Sequence, residues 1–184
     1  MDGLMNYMSD LGLDLEDLVT ICLTHLLHCK NIKDDITRDQ FLGNWFLQGC
    51  SDIAQMKQVL VDLNDKLHSD KQYFIDIYNY TFGLITDPDK DLEVETAVAY
   101  WKLFLQPKEG EFPVRVDPTL LNLWFQFLDE ENKKFITQDY WHMLVVFFQK
   151  FPNLNVIKEG YDETAAWPYI IDEYYEYLQD TNHI

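Results

Sequence analysis

Apolar positions recur every three or four residues along nearly the whole chain, the spacing of helices that each bury one face. Leu15, Leu18, Ile21, Cys22, Leu26 and Cys29 fall on one side of a first long segment. The same spacing predicts helices near 37–47, 51–67, 71–85, 93–105, 118–129, 137–150 and 168–179, with a short one over 2–10. Sustained alternation with a period of two, the mark of half-buried strands, is absent. The expected class is all-α: a single helical domain, 1–184, of about eight or nine helices. Gly49, Pro88 and Pro152 mark short breaks between helices. The stretch "QPKEGEFPVRVDPT" (106–119), rich in proline, reads as a surface connection between two helical halves.

A loose internal repeat adds detail. "IKDDITRDQFLGNWF", "DKDLEVETAVAYWKLF" and "NKKFITQDYWHMLVVFF" share a charged turn, one apolar residue, a polar cap and an apolar helix. Thr37 and Gln40 have the spacing of a capping box, with Ile36 and Phe41 as a hydrophobic staple around it. Ile136 and Trp141 bracket Thr137 in the same way. A short extended piece leading into a helix, repeated, predicts two EF-hand-like halves.

Charge narrows the choice of partners. With 32 acids against 14 Lys and Arg, the formal charge is −18. Such a surface repels phosphate, which argues against nucleic acid and anionic membranes. It attracts basic proteins and speeds their encounter, although solubility alone is the plainer reading. Three cysteines, an odd number, read as free thiols in a reducing compartment. The N-terminal stretch has no basic region of the kind a signal peptide carries, and no apolar run reaches the roughly 18 residues of a membrane helix. A soluble, intracellular protein is expected.

The chemistry-bearing candidates weaken on inspection. The best calcium loop starts at Asp87, with Asp89 and Asp91 in ligand positions. It has Leu92 where the sharp turn needs Gly and Val98 where a bidentate Glu belongs. Zinc would use Cys22, His25 and Cys29, but no second Cys pair completes a tetrahedral set, and two thiols on an apolar face usually pack. Cys50 sits between two helices, where a helix N-terminus lowers a thiol pKa, yet no base accompanies it. Walker and dinucleotide motifs are absent. Neither cofactor nor metal is expected.

The closing segment, "YDETAAWPYIIDEYYEYLQD" (161–180), combines many aromatics with many acids and no Lys or Arg. Pro168 suits the first turn of a helix and holds Trp167 extended. Ile171, Tyr174 or Tyr175, and Leu178 make a stripe for burial, while Asp172, Glu173 and Glu176 point elsewhere. Ala165 and Ala166 leave a shallow place beside acids where another protein can approach. A merely solvated acidic face is the alternative.

This segment resembles the closing motif of the defective-in-cullin-neddylation family, whose domain is called potentiating-neddylation (PONY). "FLGNWFLQGCSDI", "AVAYWKLFL", "LLNLWFQFL" and "ITQDYWHMLVVFF" resemble the same domain in the expected order, and "QGCS", "YWKLF" and "DETAAWP" resemble its fungal branch. The resemblance implies a helical, EF-hand-like domain without calcium. It implies a non-catalytic scaffold-type ligase subunit that promotes cullin neddylation. The scaffold would hold the cullin C-terminal winged-helix region beside the neddylation conjugating enzyme and work with a RING ligase, in cytoplasm and nucleus. It further implies a cullin-binding patch at Asp139, Ala166 and Asp172. A pocket for the acetylated N-terminal Met of the conjugating enzyme would be lined by Leu4, Leu23, Leu27, Leu84, Tyr100 and Leu103, with Thr20 and Thr24 nearby. A cysteine-dependent ligase using Cys50 and a helical calcium sensor are the rival readings. Several relatives carry a small ubiquitin-associated domain upstream, which this sequence does not include.

Overall fold

A computed structural model describes residues 2–14, 17–106 and 111–184, with the side chains of residues 2–5 excepted. The chain divides into two compact units, Met1–Thr86 and Asp87–Ile184.

In the first unit, α1 (Asp2–Leu11), α2 (Leu18–Leu26), α4 (Ile53–Ser69) and α5 (Lys71–Ile85) pack on one another, and α3 (Arg38–Leu47) joins α2 to α4. Ile21, Cys22 and Cys29 of the first stripe are buried, as expected, whereas Leu15 lies outside the described residues. The α2 helix is shorter than the segment its pattern suggested. It ends at Leu26, and His28 follows with a φ of 56°, a left-handed backbone that no helix continues through. The capping box forms: Thr37 accepts from the Gln40 amide, and the Gln40 side chain accepts from the Thr37 amide at 3.0 Å. Asp52 caps α4 through the Gln55 amide. After α2 the chain is stitched to the end of α5. Asn31 Nδ2 donates to the Thr86 carbonyl at 2.8 Å, and the Ile32 amide to that of Leu84 at 2.8 Å. The α3 helix buries Trp45 and leaves Leu42, Phe46 and Leu47 exposed.

The second unit contains β1 (Leu92–Glu93), α6 (Val94–Leu105), α7 (Pro118–Glu130), β2 (Phe135–Ile136), α8 (Gln138–Lys150), α9 (Leu154–Gly160) and α10 (Tyr169–Asp180). The extended pieces anticipated before the second and third repeats pair with each other, Leu92 opposite Ile136 and Glu93 opposite Phe135. Leu92 and Ile136 are buried, so the ladder aims one apolar residue from each loop into the core. A strand before the first repeat, at Ile36, is absent among the described residues. Among the described residues, the paired-loop arrangement lies in the second unit. Leu92, at the calcium loop's turn position, is spent on packing.

Indoles dominate this unit's core. Trp101 stacks on Trp141 at 5.4 Å and meets Trp124 edge-on at 5.8 Å, and all three are fully buried. Tyr174 of α10 closes on Trp124 at 5.2 Å, and its hydroxyl donates to the Leu120 carbonyl at 2.8 Å. Two expectations need correction. The proline-rich connection does not separate two halves: Phe112 and Val114 are buried, and the division falls at Thr86 instead. The seven-residue α9 was not anticipated, because it buries only Ile157 and offers no periodic face. Across the described residues no helix is long and apolar enough to cross a membrane.

Candidate functional site

The closing segment and α8 form the candidate site, wholly within the second unit. Ile136 is fully buried, and from this anchor Thr137 turns the chain into α8, its hydroxyl accepting from the Tyr140 amide at 3.2 Å. Asp139 follows in the first helical turn and is exposed, where the positive end of the helix dipole favours a carboxylate.

The approach to α10 is a tight turn. Asp162 accepts from the Thr164 amide at 2.9 Å and the Thr164 hydroxyl at 2.6 Å, and its carbonyl accepts from the Ala165 amide at 3.0 Å. These Thr164 bonds are the main reason the Asp162 carboxyl is held below its usual range, with Lys150 contributing. The Trp167 amide donates to the Ala165 carbonyl at 2.8 Å, which leaves Ala165 half-buried and Ala166 exposed at the outer edge. Pro168 precedes the first helical residue with φ −58° and ψ 140°, one position earlier than its expected place inside the helix. On α10, Ile170, Ile171, Tyr174, Tyr177 and Leu178 are buried. Between the two tyrosines that pattern left open, Tyr174 enters the core and Tyr175 stacks on Tyr161 at 4.3 Å.

Trp167 decides where the turn sits. Its ring meets Phe147 edge-on at 5.7 Å and Phe151 at 6.1 Å, with Lys150 Nζ 5.3 Å from the ring centre. Those partners belong to the second half and end of α8. The Tyr161 hydroxyl donates to Asp172 Oδ1, so Asp172 belongs to the same end. Asp139 lies eight residues before Phe147, about 12 Å of helix rise away. Ala166 and Asp172 are thus gathered at one end of α8 while Asp139 marks the other. The three residues outline a strip along α8 and the turn into α10, and Val146 of α8 is exposed as well.

The residues expected to line the peptide pocket are distributed over both units. Leu23, Leu27 and Leu84 are buried in the first, and Thr20 and Thr24 are half-buried there. Both threonine hydroxyls are turned to backbone, Thr20 donating to the Asp14 carbonyl at 2.6 Å and Thr24 to that of Ile21 at 2.8 Å. Tyr100 and Leu103 are half-buried on α6 in the second unit. The Leu4 side chain lies outside the described residues.

A family profile described as cullin binding matches residues 55–177. The chain belongs to the cullin-binding family. It is 50% identical over 181 residues to the defective in cullin neddylation protein 1 of Saccharomyces cerevisiae, across 98% of this chain and 66% of that protein. The Candida glabrata protein of the same name is 48% identical, across 98% of this chain and 67% of that one. The one from Eremothecium gossypii is 40% identical, across 100% and 71%. The chain thus spans about two thirds of the length of these relatives. The region matched to the cullin-binding family contains Asp139, Ala166 and Asp172, and also Leu84, Tyr100 and Leu103. It excludes Leu4, Thr20, Leu23, Thr24 and Leu27.

Within this cullin-binding region, sequence reasoning missed the groups that support the strip. Lys133 Nζ lies 2.6 Å from Glu173 Oε1 and 5.5 Å from the Phe127 ring, in a half-buried ion pair that ties the α7–β2 turn to α10. Tyr177 donates to Glu130 Oε2 at 2.9 Å. These partners lie 40 or more residues apart in sequence, beyond the reach of local spacing. The other chemical candidates take structural places. Cys22 and Cys29 are buried, His25 packs edge-on to Tyr80 at 4.9 Å, and no metal-holding cluster of His, Cys, Asp or Glu occurs among the described residues. Burial, then the Asp52 carboxylate, pushes the Cys50 thiol above its usual range, away from the thiolate that nucleophilic chemistry needs.

Proposed function

We propose that this chain is a scaffold-type subunit that promotes neddylation of a cullin without forming a covalent intermediate of its own. The observation that carries this reading is the strip on α8 and α10, two carboxylates flanking the exposed methyl of Ala166 within the region matched to cullin binding. A basic face of the cullin C-terminal winged-helix region meets Asp139 and Asp172 at separate points, and Ala166 admits its backbone closely. The conjugating enzyme supplies the thioester cysteine, and a cullin-associated RING ligase completes the assembly, in cytoplasm and nucleus. The acetylated N-terminal Met of the conjugating enzyme binds an apolar pocket of this chain. Acetylation favours this because a free amine carries a charge that is costly to desolvate.

The test is a reconstituted cullin-modification reaction with and without the protein. Wild-type protein should raise the initial rate, and Asp139→Lys combined with Asp172→Lys should remove the stimulation while circular dichroism stays unchanged. Cys50→Ser should stimulate as well as wild type. If it loses all stimulation while folded, the protein is a thioester enzyme and the scaffold reading fails.

A further inference from the structure

The two adjacent acids at the start of α10 have been given different kinds of partner. Glu173 is half-buried and ion-paired with Lys133 at 2.6 Å, so its charge is answered within the molecule. Asp172 is also half-buried, but the group bonded to it is a neutral hydroxyl, that of Tyr161, which donates to Oδ1. A phenol orients a carboxylate and satisfies one oxygen without cancelling the charge, whereas an ammonium or guanidinium would neutralise it. Tyr161 is itself held firmly. Its ring stacks on Tyr175 at 4.3 Å with 23° between planes, and it touches Phe147 at 6.2 Å and Phe151 at 5.8 Å.

We propose that Tyr161 is a positioning residue of the cullin-facing strip: clamped by Tyr175, Phe147 and Phe151, it fixes the Asp172 carboxylate through Oδ1 so that Oδ2 is presented, still charged, to a basic group of the partner. This rests on the reading of Asp172 as a cullin contact. Pre-orientation matters because an exposed acid that must be ordered on binding forfeits much of what a charged pair contributes. Burial first, and then the bond to Asp172, keeps the Tyr161 phenol well above the ordinary tyrosine range.

Binding of a cullin C-terminal winged-helix domain to the full chain, measured by calorimetry, tests this in a cycle of Tyr161→Phe, Asp172→Asn and the double variant. Tyr161→Phe keeps the ring and its packing and removes only the donor. It should weaken binding about five- to tenfold, with the melting temperature showing the variant folded. Asp172→Asn should weaken it at least as much, and the double variant should bind no worse than Asp172→Asn alone. A purely structural tyrosine would instead give losses that multiply in the double variant, and that result overturns the proposal. Wild-type affinity in Tyr161→Phe, with Asp172→Asn weakened, overturns the role of Tyr161 and leaves the cullin strip standing. Wild-type affinity in folded Asp172→Asn removes both.

Discussion

Ala166 is the one member of the strip with no charge, and its contribution lies in what it omits. The turn fixed by Asp162 and Trp167 holds its methyl outward at the surface, with no internal contact that depends on a larger group. Ala166→Arg should therefore fold normally, with a melting temperature close to wild type. Its bulk and positive charge would oppose a basic partner, so affinity for the cullin domain should fall more than tenfold. Unchanged affinity would mean that the partner does not cross this edge. Sequence reasoning reached Asp139, Ala166 and Asp172 because motif wording resembles a family, whereas physical pattern alone offered only acids beside a small step. Tyr161 escaped notice because its role depends on an eleven-residue return of the chain to Asp172, and no periodicity encodes that.

Among the elements, α8 bears most on function, since it connects the ends of the strip. Its N-terminus depends on Thr137, whose hydroxyl satisfies one otherwise unpaired amide. Thr137→Ala should cost about 1 kcal/mol of stability, read from urea unfolding. A loss below a few tenths would show that water replaces the cap. Just before α8, the β1–β2 ladder joins two loops that in a calcium protein would hold ions. Leu92 and Ile136 turn inward there and the Lys90 ammonium sits 3.1 Å from Asp87, so the first acid of this loop already has an internal cation. Neither calcium nor a chelator should move the melting temperature, and a shift of several degrees with stoichiometric metal would overturn that expectation. Most helices were legible because each buries a long periodic face. The extended pieces before two helices were legible from the repeat, but their pairing and α9 were not, since two residues are too few to show alternation and one buried side chain too few to show a stripe.

At the scale of the whole molecule, acids set the behaviour towards partners and tyrosines set the response to alkali. A charge of −18 should make association with a basic cullin surface fall as salt is raised, through screening over roughly 10 Å at 0.1 M. Burial raises the phenols of Tyr7 and Tyr80 to about 12, and Tyr80 is further committed to the Cys29 carbonyl at 2.7 Å. In the unfolded chain a tyrosine ionises near 10. The folded value is the higher one, so the associated stability is complete below pH 10 and is lost as pH climbs towards 12. The melting temperature should hold between pH 8 and 9.5 and then decline. Tyr80→Phe should flatten the decline, and a melting temperature at pH 11 equal to that at pH 9 would contradict this. The division at Thr86 was not legible, because Phe112 and Val114 look like loop residues until their burial is known.

The tryptophans have an optical consequence. Trp45 belongs to the first unit, while Trp101, Trp124, Trp141 and Trp167 all belong to the second. Indole emission is therefore weighted towards one unit, whereas backbone ellipticity samples both. Trp101 and Trp141, nearly parallel at 5.4 Å, are close enough for their excited states to couple, which should give the folded second unit a paired near-ultraviolet signature. Following emission and ellipticity together through a denaturant titration would show whether the two units melt in concert. Superimposed curves mean one cooperative transition, and emission that shifts at a different denaturant concentration means two.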